Sequence, residues 1–321
     1  MPYPICYHDA HVVKVHAVAS KSRHWRSILG RKETGERFEE VSARSFAPTT
    51  LRDAQQRTLV ARRRVRGDVR SALMQALDLI AGDRKILTVK ESPLVLPRFG
   101  NGSAPYSTAS DFLEAVIHVL RNHGCGLVRV IDARTEAYPD PVDLLEICAR
   151  TGCAVVDVRE GPWVRVQIGG ALGKVAIPRV AYESERLVFL PSALANPETR
   201  FTMGLALAQE LLHPEERAVL RHVRREERMV ELNLAVRPWL ILMDARKALV
   251  SDEGGGKVRE PGYVLASGDP IALDVAAVKL LKGYPAKNRL DLTAWGFPQV
   301  SAAIALGLGA VREDDMRLVE E

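Results

Sequence analysis

Residues 107–132, STASDFLEAVIHVLRNHGCGLVRVID, decide the fold. Ser107 to Asp111 supplies the small polar residues that open a helix, and Phe112, Ala115, Val116, Val119 and Leu120 then recur at three- and four-residue spacing. Asn122-His123-Gly124 stops that helix, and Leu127 to Asp132 is an apolar run of strand length. A helix followed at once by a buried strand is the half-unit from which parallel sheets are built.

The same alternation extends both ways. Upstream, Val69, Leu73, Ala76, Leu77 and Ile80 predict an amphipathic helix ending near Gly82-Asp83, with Lys85 to Lys90 as a short strand after it. Downstream, Asp143 to Arg150 predicts a helix closed by Gly152, and Cys153 to Val158 a strand. Val164–Ile168 and Lys174–Pro178 alternate like an antiparallel pair around Gly169-Gly170, while Arg186–Pro191, Trp239–Asp244 and Gly262–Ser267 are further strands. Leu212, Val219, Val223, Val230 and Leu234 predict one long helix from Glu215 to Val236 with a basic stripe on its other face. Asp274 to Leu281 is helical in pattern. The expected fold is α/β: a mixed, largely parallel sheet with helices on both faces.

Charge divides the chain. Its 321 residues hold 45 Lys plus Arg against 40 Asp plus Glu, but residues 1–70 contain 15 basic and 7 acidic side chains, net +8, which leaves the remainder at −3. Residues 1–64 therefore read as a basic arm and 65–321 as the α/β core. At 47% hydrophobic and 26% charged residues the chain has the composition of a folded protein. No apolar run is long enough for a membrane span, and no basic stretch followed by an apolar segment marks a secretory signal. Four scattered cysteines are too few for a disulfide scaffold, so a cytoplasmic location is expected, with Cys148 and Cys153 as buried thiols.

The segment from Asp244 to Gly283 holds the candidate chemistry. In open α/β sheets, ligands lie beyond the carboxyl ends of strands, and Asp244 ends a strand while Gly268-Asp269-Pro270 joins a strand to a helix. Glu253 precedes Gly254, Gly255 and Gly256, whose bare backbone amides can approach an anion. Asp244, Glu253, Asp269 and Asp274 could converge on a divalent cation or exchange protons. Asp269 before Pro270 also reads as a plain N-cap, and Asp274 as a first-turn acid facing the helix dipole. There is no phosphate loop, dinucleotide fingerprint or serine-hydrolase elbow. His8, His11, His16 and His24 match no zinc spacing.

These residues in this order, above all Val264-Leu265-Ala266-Ser267-Gly268-Asp269-Pro270-Ile271-Ala272-Leu273-Asp274, resemble the domain of unknown function 362 family. The likeness takes in Lys85–Lys90, the helix start at Thr108, Leu187–Pro191, Thr202–Leu205, His213-Pro214 and Asp244, and spans residues 65–310. The resemblance implies a redox setting, since many members are fused to or accompanied by ferredoxin-like iron–sulfur modules. This chain lacks the cluster cysteines, so no iron–sulfur cluster of its own is expected, and a separate iron–sulfur or other redox protein is the implied partner. Where the family commonly has K-P-N the chain has Lys90-Glu91-Ser92; in place of later lysines it has Ser192–Asn196 and Ala206-Leu207.

Three functions follow as expectations. The first is a redox-linked enzyme acting on a small anionic metabolite. In it Lys90 and the helix start near Thr108 hold the anion, while Asp244, Glu253 and Asp269, with Asp274, bind a divalent metal or move protons. The alternative is a non-catalytic binding or assembly protein that keeps the fold with a degenerate site. Nucleic-acid binding through the arm has only its charge in favour and is not expected.

Overall fold

A computed structural model describes residues 38–82, 84–100, 104–134, 144–221, 224–251 and 256–320. The four N-terminal histidines, most of the expected basic arm, and Glu253, Gly254 and Gly255 lie outside these residues. The chain runs through β1 (Glu39–Ser42), β2 (Thr58–Arg64), α1 (Val69–Ala81), β3 (Leu94–Pro97), α2 (Ser110–Asn122), β4 (Arg129–Asp132), α3 (Leu144–Thr151) and β5 (Ala154–Asp157). It continues through β6 (Trp163–Gly169), β7 (Gly173–Pro178), α4 (Arg179–Glu183), β8 (Leu187–Leu190), β9 (Ser192–Asn196), β10 (Arg200–Phe201) and α5 (Arg225–Glu231). The remainder is β11 (Leu240–Ser251), β12 (Lys257–Arg259), β13 (Tyr263–Ser267), α6 (Pro270–Lys282), α7 (Pro298–Ala305) and β14 (Met316–Glu320).

Local sequence explains the helices. Asp68 caps α1 by accepting the amides of Arg70 and Ser71, and Gly82 ends it with φ +61°. Leu73, Leu77 and Ile80 form the buried stripe of α1, each worth about 1.5–3 kcal/mol of burial. The helices cover both faces of the sheet: α1 packs on α2 and over β2 and β13, while α6 lies against β13, β11 and β2.

Among the described residues one sheet has the order β14-β2-β13-β11-β8-β3-β4-β5, with β9, β10 and β12 attached beside it. β5, β4, β3, β8 and β11 run parallel to one another, and β14 is parallel to β2. β13 is antiparallel to both β11 and β2, so it alone on this path runs against the rest. That reversal makes the sheet mixed. The expected pair Val164–Ile168 and Lys174–Pro178 does form as β6 and β7, but with β1 it builds a separate three-stranded sheet.

Several expectations are corrected. Lys85–Lys90 is a loop and turn, because the strand that enters the sheet is the fully buried Leu94–Pro97. Residues 58–64, assigned to the arm on charge, form β2: Leu59, Val60 and Ala61 are buried, and Arg62, Arg63 and Arg64 are held against Glu320, Gln75 and Tyr263. The long helix over 215–236 is broken into a 3-10 turn, α5 and a second 3-10 turn, and Arg224 adopts φ +64° before α5. Cys148 and Cys153 are joined in a disulfide, because the last turn of α3 and the start of β5 bring their Cα atoms to 4.6 Å. No helix among the described residues is long and apolar enough to cross a membrane.

Candidate functional site

From β3 the chain steps to β4 and β5 on one side, then returns to place β8 on the other side of β3, with β11 next. The strand order therefore reverses between β3 and β8, and crevices form beyond the carboxyl ends of strands at such points. Thr108 sits there. Its hydroxyl donates to the Leu190 carbonyl at the end of β8 (3.2 Å) and accepts the Arg98 amide just past β3 (2.8 Å). Ser107 is tied to the Gly100 amide and carbonyl at 3.1 and 3.2 Å. Both hydroxyls are committed to holding the loop that starts α2.

A cavity of about 680 Å³ opens at this point, lined among others by Ser107, Thr108, Ser110, Asp111, Asp244, Arg246, Lys247, Glu260 and Gly262. Arg246 organises it. The guanidinium meets Asp244 at 2.8 and 3.0 Å and Asp111, in the first turn of α2, at 2.5 and 2.9 Å. It also lies 5.8 Å from the Phe112 ring. Burial opposes its charge, but the hydrogen bonds it donates to Asp111 and Asp244, with their negative charge, outweigh burial and hold its pKa above the ordinary arginine value. In return the hydrogen bond from Arg246 keeps the Asp111 carboxyl below the usual range.

One guanidinium thus bridges two carboxylates and fixes the N-terminus of α2 against β11. Arg246→Gln keeps a polar side chain but leaves Asp244, only 5% exposed, without its cation. The expected loss is about 1–3 kcal/mol in urea denaturation; an unchanged midpoint would mean that the clamp contributes nothing to the fold.

Lys247 and Glu260, both exposed at the mouth, have no ion pair among the described residues. The Gly262 amide donates to the Arg246 carbonyl and its carbonyl accepts the Val65 amide. Val65, Gly262 and Arg246 therefore form one row, with Arg64 and Arg66 flanking it on β2 and just beyond.

The expected site residues are not gathered together. Asp244 and Thr108 share this cleft. Lys90 is exposed in the turn before β3, at the amino edge of the sheet, so it does not join Thr108. Because β13 runs backwards, Asp269 at its end also falls at the amino edge, where it caps α6 by accepting the Ile271 and Ala272 amides. Asp274 is not in the first turn of α6; it is buried one turn on, accepting the Gly204 and Leu205 amides at 2.8 and 2.9 Å. Of the expected glycine loop only Gly256 is described, and a Cβ there would come within 2.7 Å of the Tyr106 hydroxyl, so the end of that loop rests on the segment before α2.

Asp269 and Asp274, two of the expected metal ligands, are held by the backbone instead. Both oxygens of Asp269 and both of Asp274 already accept backbone amides, and no group of three or more His, Cys, Asp or Glu among the described residues is placed to hold a metal.

The model of the family described as domain of unknown function (DUF362) matches residues 94–279, more than half of the chain. The chain belongs to this family. No curated protein matches it. The DUF362 match begins at the first residue of β3 and ends within α6, so it contains both strands of the reversal, the Arg246 clamp, Lys247 and Glu260. Val65, β2, α1 and β14 lie outside the DUF362 segment.

Arg246, Asp111, Lys247 and Glu260 were not foreseen as site residues, although one signal was present. Of five Asp-x-Arg tripeptides, three lie at or in strands of the main sheet and pair: Asp132-Ala133-Arg134 and Asp157-Val158-Arg159 at the ends of β4 and β5, and Asp244-Ala245-Arg246 in β11. In these three the arginine turns back on the aspartate, at 2.6 Å for Arg134 and 2.5 Å for Arg159. Residues two apart on an extended chain share a face, so a carboxylate and a guanidinium at that spacing can pair without a turn.

Proposed function

We propose that the cleft between α2 and β11 binds a small anionic metabolite, with Lys247 as the charge that meets it. The observation that carries this is the 680 Å³ cavity at the reversal of strand order, a volume in the range that takes metabolite-sized ligands. Arg246 is already neutralised by two carboxylates and shapes the wall. Lys247 has no ion pair among the described residues. The N-terminus of α2 has no side-chain cap and adds partial positive charge on the same side.

In the enzymatic form of this proposal Glu260 is the carboxylate that moves a proton, since Asp244 is occupied with Arg246. Electrons would come from a separate redox protein, as the family resemblance implies. The commitment of Thr108 and Asp244 to structural bonds favours a second reading, a binding protein without turnover. Glu260→Gln separates the two, because it leaves binding in place and abolishes turnover only in the enzyme.

Titration calorimetry with a panel of small carboxylates and phosphate esters tests the shared core. At least one member should bind wild type, and Lys247→Ala should weaken it about ten-fold. Equal affinity in wild type and variant, or no binding by any member, would end the proposal.

A further inference from the structure

A second cavity, of about 280 Å³, lies at the amino edge of the sheet, away from the first. It is walled by Arg186 before β8, Arg237 and Trp239 before β11, Gly268 after the reversed β13, and the strap 44–50. Three arginines line it, Arg44, Arg186 and Arg237, against one acid, the exposed Glu185. Arg186 has its own counter-ion in Glu91 at 2.5 Å and stacks over Trp239 at 5.1 Å.

The other two are held differently. Arg44 donates to the main-chain carbonyls of Tyr182 (2.6 Å) and Ser184 (3.4 Å), and its guanidinium is 5.9 and 6.0 Å from the Phe46 and Tyr182 rings. Arg237 donates to the Leu308 carbonyl. Burial pushes the Arg237 pKa down, partly opposed by the negative charge of Asp269. Carbonyls orient a guanidinium without neutralising it, and neither Arg44 nor Arg237 has a carboxylate within ion-pair distance among the described residues. Two cations held by main-chain carbonyls thus belong to residues lining a small recess, whose lining also includes the hydroxyl residues Ser45, Thr49 and Thr50.

A guanidinium without an ion pair in a recess is costly, and an oxyanion between two arginine forks answers both their charge and their planar donor geometry. We propose that this cavity is an anion site that takes a phosphate group between Arg44 and Arg237. It does not depend on the function assigned to the larger cleft, which lies on the opposite edge of the sheet.

Isothermal titration of the full chain with inorganic phosphate, at ionic strength matched with sodium chloride, is the test. Saturable binding is expected in wild type and in Arg312→Gln, a control that removes one exposed arginine charge elsewhere. Arg44→Gln should weaken it about ten-fold. Arg237→Gln should do the same, and because Arg237 is partly buried its fold is checked first by circular dichroism. Methyl phosphate distinguishes the source: binding equal to that of inorganic phosphate means that the site accepts the group on a larger molecule, and binding of inorganic phosphate alone means a free-ion site. No saturable phosphate binding in wild type, or affinity unchanged in a folded Arg44→Gln, overturns the proposal.

Discussion

Asp269→Ala lowers the free energy of unfolding by about 3–5 kcal/mol, measured by urea denaturation of the full chain. The carboxylate is 1% exposed and ties three parts of the fold together. One oxygen accepts the amides of Ile271 (2.9 Å) and Ala272 (3.0 Å), which have no partner inside α6. The other accepts the Ala310 amide at 2.8 Å and faces the Thr58 hydroxyl at 3.4 Å, at the start of β2. Gly309 makes this approach possible, since a Cβ there would stand 2.2 Å from the carboxylate. Alanine would leave three amides buried without an acceptor, a cost well above that of an exposed N-cap. Asp269→Asn keeps one acceptor and turns its NH2 toward donors, so it should fall between wild type and alanine. A loss below about 1 kcal/mol for Asp269→Ala would show that water or a rearranged turn satisfies the amides, and that the tie is not structural.

Much of the fold was legible because its signals are local. Phe112 to Leu120 and Val69 to Ile80 carry the helical period within one element, and both helices form where it predicts. What was not legible depends on partners far away in sequence. The direction of β13 is set by its pairing with β11 and β2, and an apolar run such as Tyr263–Ser267 looks the same in either direction. That single reversal sends Asp269 to the opposite edge from Asp244 and dissolves the expected carboxylate cluster. Residues 58–64 were misread for a related reason: three consecutive arginines suggest a solvated arm, yet Val60 and Ala61 are buried and the arginines reach outward to Glu320, Gln75 and Tyr263. Lys85–Lys90 has the composition of a strand, but Leu94–Pro97 is more apolar and takes the place between β8 and β4. At the site, Asp244 was found and its partner two residues on was not, because Arg246 gains its meaning only when α2 brings Asp111 to it.

Asp274 gives the second large effect, and its sign distinguishes two opposing forces. The side chain is fully buried, and burial pushes its pKa from the ordinary 3.8 up to about 7, although the amides of Leu205 and Gly204 favour the charged form. A carboxyl whose pKa is higher in the folded than in the unfolded state holds more protons when folded. Its contribution to stability is therefore full below about pH 3.8, falls as pH rises toward 7, and is flat beyond. A shift of that size corresponds to a span of roughly 4 kcal/mol across the window. Asp269 is raised by burial as well and adds a slope of the same sign, while ion-paired acids such as Asp111 act in the opposite sense. The informative quantity is consequently the difference between wild type and Asp274→Asn, which keeps one acceptor for the amides and cannot titrate. Measured by urea denaturation at intervals from pH 4 to pH 8, wild type should lose stability relative to the variant by several kcal/mol as pH rises. A difference that grows in favour of wild type over the same range would mean that the two amides prevail over burial and hold Asp274 as a carboxylate, binding the 204–205 turn to α6 by a charged rather than a protonated contact.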